Sequence, residues 1–115
     1  MKSHRDLLVW QKSVNMVTRI YSETNGWPRE EVYGLTSQIR RAAVSIPSNI
    51  AEGAGRGGKK EFSRFLSISL GSLAEVETQL IIAERLNFMA DASKLDTELQ
   101  EIRRMIVGLK KSLEV

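Results

Sequence analysis

Cysteine is absent from the sequence, and histidine occurs once, as His4. Disulfides and thiolate metal sites are therefore excluded. No second imidazole exists to complete a Glu-x-x-His metal set, and none is placed to activate a serine. Aromatic residues make up only 6% of the chain, so stacking partners for nucleic-acid bases are sparse. No apolar run approaches the ~20 residues of a membrane span. The polar start from Met1 to Asp6 and the short Leu7-Leu8-Val9-Trp10 run do not read as a signal peptide. Together these absences suggest a cytoplasmic chain without metal or cofactor, and they leave catalysis poorly provided for.

What remains is amphipathic helix. At 115 residues the chain is expected to form one domain, 1–115, with its own core. Helix 1 is predicted from about Asp6 to Thr24, with Leu7, Trp10, Val14, Val17 and Tyr21 on its inner face. Asn25-Gly26 stops it, and Pro28 begins a turn. Helix 2 covers about Leu35 to Ala54, with Leu35, Ile39, Ala42, Ile46, Ile50 and Gly53 inward. Helix 3 runs from about Lys60 to Met89 on the stripe Phe62, Leu66, Ser69, Leu73, Val76, Leu80 and Ala83. Helix 4 follows Asp91 or Ser93 and steps Leu95, Leu99, Ile102, Ile106, Leu109 and Leu113. No strand-like alternation and no internal repeat is present. The fold class is all-α, an antiparallel up-and-down four-helix bundle whose second helix is kinked at Pro47.

The apolar positions outnumber what one stripe per helix needs. Val9 and Met16 on helix 1, Val44 on helix 2, and Ile68, Ile82 and Leu86 on helix 3 fall outside the main stripes. They read as a self-association surface, with scattered surface hydrophobes as the alternative. Ser63, Ser67, Gly71, Ala74 and Thr78 add a strip of small residues, and Gly71 in mid-helix costs about 1 kcal/mol relative to alanine. Close approach by another helix is the expected compensation. Glu75 shares the stripe of Ile68, Ile82 and Leu86. It is exposed at an edge, paired with Arg40 or Arg41, or catalytic.

The net charge is +3. The basic excess is concentrated between Leu35 and Arg64, a segment that carries +4 through Arg40, Arg41, Arg56, Lys59, Lys60 and Arg64 against Glu52 and Glu61. The stretch Gly53-Ala54-Gly55-Arg56-Gly57-Gly58-Lys59-Lys60 matches two phosphate-loop patterns, yet both require a preceding strand. Here a helix precedes it, and Lys60 stands where a magnesium-holding hydroxyl is required. It reads either as a glycine connector or as a generic phosphate-backbone contact at the start of helix 3.

Several motifs carry a family resemblance across nearly the whole chain. They are Asp6-Leu7 with Trp10-Gln11-Lys12, the run from Tyr33 to Ala42, Ser45-Ile46-Pro47-Ser48-Asn49-Ile50-Ala51-Glu52-Gly53, and Gly71-Ser72-Leu73-Ala74-Glu75. With these the chain resembles the four-helix-bundle proteins encoded in intervening sequences of bacterial 23S ribosomal RNA genes. The resemblance implies an antiparallel bundle and a ring-shaped homopentamer. It also links the chain to an accessory protein of diversity-generating retroelements, which works with a reverse transcriptase and nucleic acid. It implies no catalytic residue.

The function expected is a non-enzymatic oligomer that contacts RNA, or RNA with a protein partner. Arg40, Arg41, Arg56, Lys59, Lys60 and Arg64 are the candidate phosphate contacts. Val9, Met16, Val44, Ile68, Gly71, Glu75, Ile82 and Leu86 are the candidate subunit interface. The alternative is a structural protein–protein adaptor without nucleic-acid affinity.

Overall fold

The computed structural model describes residues 2–114. Its four helices are α1 (Leu8–Thr24), α2 (Leu35–Gly55), α3 (Lys59–Arg85) and α4 (Ser93–Ser112), with 3-10 turns at His4–Asp6 and Arg29–Glu31. No strand occurs among the described residues. Each helix packs on its neighbour in sequence, and α1 closes the arrangement against α4. This is an up-and-down four-helix bundle, elongated to 45 × 23 × 19 Å.

Three helices present the apolar stripe that their spacing predicts. Along α3, all seven expected inner residues from Phe62 to Ala83 are buried. On α4, Leu95, Leu99, Ile102 and Ile106 are buried, and Leu109 and Leu113 pack at the margin of the core. On α2, Ile39, Ala42, Ile46, Ile50 and Gly53 are buried. α3 also holds an 18-residue window of mean hydropathy 1.3, apolar enough by length and composition to cross a membrane. That exceeds the expectation from sequence.

α1 differs from expectation. Its buried face is Val9, Ser13, Met16, Ile20 and Thr24, turned by roughly a quarter of a helical turn from the expected stripe. Val9 is 4% exposed and Met16 fully buried, so neither belongs to an outer surface. The reason lies in the two hydroxyls on this face. Ser13 Oγ donates to the Trp10 carbonyl at 2.9 Å, and Thr24 Oγ1 donates to the Ile20 carbonyl at 2.8 Å. Both are satisfied within their own helix, so burying them costs little. Leu7, Trp10 and Val17 flank the core instead of forming it, and Tyr21 is exposed.

α2 and α3 form the tightest pair. Pro47 is buried within α2, and the helix runs unbroken through it. Its ring leaves the Ala43 carbonyl without a helical donor. Beside it, Ser69 Oγ donates to the Ile46 carbonyl at 3.0 Å, and the Ser45 and Ser72 hydroxyls hydrogen-bond across the seam. Near the end of α2, Gly53 lies directly on α3. A Cβ there would stand 2.7 Å from Phe65 Cβ and 3.3 Å from Phe62 Cα.

Ion pairs at the surface join the two seams that involve α4. Lys12 meets Glu101 at 2.6 Å and Arg19 meets Glu98 at 2.7 Å between α1 and α4, while Arg103 meets Glu77 between α4 and α3. Exposed pairs of this kind contribute little individually.

Gly53→Ala is expected to destabilise the fold by about 1–3 kcal/mol, because the backbone of α3 stands in the way and overpacking has no outlet. Urea denaturation at low protein concentration measures this. An unchanged midpoint would show that the two helices separate freely.

Candidate functional site

The expected basic region divides in two. Arg40 and Arg41 lie near the start of α2, and Arg56 follows its end. The fifteen or so intervening residues place the two groups about 22 Å apart along the helix.

At the α2–α3 corner the connection is short. Arg56 caps α2, Gly57 adopts φ +82°, and Gly58 precedes α3. Gly57 is needed because the left-handed region is costly for a side chain with a Cβ. Gly58 supplies no capping side chain, so the first-turn N–H groups of α3 face outward beside Lys59 and Lys60. Phe65 organises the flanks. The Arg56 guanidinium lies 5.1 Å and the Arg64 guanidinium 4.5 Å from its ring centre. Each arginine also binds a neighbouring carboxylate. Arg56 Nε donates to Glu52 at 3.0 Å, and Arg64 donates to both oxygens of Glu61 at 3.2 and 3.3 Å. The hydrogen bond from Arg64 holds the Glu61 carboxyl below the ordinary glutamate range. Desolvation opposes this, and the charges of Arg64, Arg56 and Lys60 add to the lowering. Lys59 and Lys60 are exposed on the first turn of α3.

Arg40 is committed to the fold. Its guanidinium lies 4.5 Å from the Tyr21 ring centre. Nε donates to Thr24 Oγ1 at 2.8 Å, and Nη2 donates to Asn25 Oδ1 at 3.2 Å and to the Tyr21 carbonyl at 3.4 Å. These bonds tie the end of α1 to α2. Arg41 is exposed and lines a groove of about 620 Å³ with Tyr21, Val32, Val44 and Ser48. It also shares a hollow of about 240 Å³ with Glu75, but the two form no ion pair, and Arg40 is occupied elsewhere.

Of the expected interface residues, Val9 and Met16 belong to the core. The rest lie on the outside, Val44 on α2 and Ile68, Gly71, Glu75, Ile82 and Leu86 along α3. Val44, Ile68 and Ile82 are about two-fifths exposed and Leu86 is 55% exposed. Gly71 and Glu75 are exposed among them, and a Cβ at Gly71 would meet nothing within 4 Å. Within one chain, therefore, nothing compensates for a glycine in mid-helix. From Phe65 to Ala83 the only charged residues are Glu75 and Glu77, and Glu77 is bound to Arg103 and Gln100 on α4. The outer face of α3 thus carries a single carboxylate along most of its length.

Spacing and composition pass over Tyr33, which is 96% exposed, and the Oε1 atom of Gln79, which is buried without a hydrogen-bond partner. A tyrosine ahead of a helix gives no signal that distinguishes display from burial. Gln79 lies between two helical stripes, and only the packing decides which side it joins. Among the described residues no cluster of histidine, aspartate or glutamate suits a metal ion. His4 packs edge-on against Trp10 at 4.9 Å.

Two measurements check these assignments. Arg40→Ala is expected to lower stability by about 1–3 kcal/mol, as a charged donor is lost from the buried Thr24 hydroxyl, which denaturation reads directly. The second concerns the Glu61–Arg64 pair. A carboxylate whose folded pKa is lowered stabilises above its unfolded value, near 4.5, and loses that contribution as pH falls through the folded value. The Glu61 carboxyl followed by NMR should titrate below 4.5, and Arg64→Ala should move its midpoint upward.

Comparison with curated proteins gives no significant match. A family model does match, covering residues 5–108, and its description is 23S rRNA-intervening sequence protein. That description names no reaction. With nearly the whole chain covered, the protein belongs to the 23S rRNA-intervening sequence protein family.

Proposed function

We propose that this protein is a non-enzymatic, self-associating four-helix bundle that works inside the cell and contacts RNA through its α2–α3 corner. The observation that carries the reading is the nearly uncharged outer face of α3. An exposed helix of this length normally carries charge on its solvent side. Here that side offers Ile68, Gly71, Ala74, Ile82 and Leu86 around the single Glu75. Such a contiguous apolar strip fits burial against another copy. A ring of five follows from the resemblance noted above.

RNA is named because the corner suits phosphate. Lys59 and Lys60 stand beside uncapped N–H groups, and Arg56 and Arg64 are held close by on Phe65. Contacts of this kind position a backbone and do not read bases. Arg40 drops out of the contact set, and Arg41 remains in it as an outlying member. A protein–protein adaptor is the second reading. It is favoured by one observation, that Arg56 and Arg64 already bind glutamates.

Labelled RNA titrated at low and high salt separates the two. Counterion release predicts affinity that falls steeply with salt, and a slope shallower by about two to three in a Lys59/Lys60/Arg64 triple alanine variant. Absence of binding at ~50 mM salt, where phosphate contacts dominate, would favour the adaptor instead.

A further inference from the structure

The outer side of α2 continues the basic surface away from the corner. Arg41, Ser48 and Gly55 follow one another at intervals of about two turns, so they form one row along the helix. All three are exposed. Among the described residues, the side chains of Arg41 and Ser48 make no hydrogen bond or ion pair. A Cβ at Gly55 would meet nothing within 4 Å, so the row is open where it reaches the corner. The carboxylate that α2 carries, Glu52, is bound by Arg56 at 3.0 Å.

The far end of the row opens into the groove of about 620 Å³ that Arg41 lines. Its apolar wall comes from three elements, with Tyr21 on α1, Val32 after the Arg29–Glu31 turn and Val44 on α2. Each of these side chains is at least 39% exposed. No aspartate or glutamate lines the groove. Glu75 lies in a separate hollow on the α3 side of Arg41 and forms no pair with it. The groove thus offers an unpartnered guanidinium beside an apolar wall, with no carboxylate to oppose an anion. Its size falls in the ~300–1,000 Å³ range of small-ligand sites.

We infer that this groove holds one unpaired nucleotide of a single-stranded RNA whose backbone runs along α2 to the corner. Arg41 meets a phosphate, the wall of Tyr21, Val32 and Val44 covers a base, and the Ser48 hydroxyl donates to the backbone between them. A nucleotide joins an anion to a flat apolar face, and the groove has a partner for each. A duplex suits it poorly, because paired bases turn their faces to one another. The inference rests on the RNA contact proposed above and gives it a second point of attachment and a length. The two attachments lie about 22 Å apart. A stacked strand carries one phosphate per ~3.4 Å, so about seven nucleotides bridge them.

A labelled dodecanucleotide of adenylate, titrated at several salt concentrations from ~50 mM upward, tests the inference. Arg41→Ala should weaken its binding roughly tenfold and make the salt slope shallower by about 0.7, the single-strand increment for one phosphate. Arg41→Lys should keep the slope. Ser48→Asp, which sets an unpaired carboxylate in the row, should also weaken binding. Both positions are exposed and unpartnered, so helical circular dichroism should not change. A tetranucleotide, measured by competition with the dodecanucleotide, covers only ~14 Å when stacked. It should bind at the corner and be indifferent to Arg41→Ala. A dodecanucleotide equally indifferent would overturn the inference and leave the corner contact standing. So would a duplex of the same length that loses as much as the strand. So would poly-glutamate that displaces the strand at equal charge and weakens with it in Arg41→Ala, which would assign the row to an acidic protein. A wild type that binds no RNA would overturn both readings.

Discussion

The close approach of α2 to α3 is the constraint on which the other features depend. Gly53 lets backbone meet backbone at Phe62 and Phe65. The Ser69–Ile46 and Ser45–Ser72 hydrogen bonds hold the same seam along its length. Once that seam is fixed, the rotation of α3 about its own axis is fixed too. Phe65 then lies under Arg56 and Arg64, while Gly71, Glu75 and Ile82 must face away. One packing contact thereby determines both the basic corner and the apolar outer face.

Charge is distributed unevenly around this frame. The seams that involve α4 are flanked by ion pairs, Lys12–Glu101, Arg19–Glu98 and Arg103–Glu77. Among the described residues, the outer side of the α2–α3 pair has none beyond those at the corner. Arg41 and Glu75 share a hollow there without forming a pair. Surface charges screen water-exposed helices from one another and oppose association. Their absence on one side, together with Gly71 uncompensated in mid-helix, distinguishes that side from the rest of the bundle.

Much of the fold is legible in the sequence. The stripes of α2, α3 and α4 repeat every three or four residues with few competitors, so spacing identifies their inner faces. It fails for α1, because that helix carries two apolar stripes about a quarter turn apart. Spacing favours the one without hydroxyls. The chain buries the other, since Ser13 and Thr24 bond to carbonyls of their own helix. Arg40 and Arg41 are neighbours of identical chemistry, yet one is tied to Thr24 and Asn25 and the other remains at the groove. Their 100° separation around the helix makes that difference.

Local pattern is enough to settle the helical class, the number of helices, the concentration of positive charge before Arg64 and the family. These follow from periodicity, from turn-forming glycines and from motifs that need no partner in space. Packing in three dimensions was needed to settle which face of α1 is core, that the six basic residues form two groups, that Gln79 lacks a donor and that Tyr33 stands free. Each depends on how one helix is rotated against another, and that rotation is set by contacts between residues far apart in the chain.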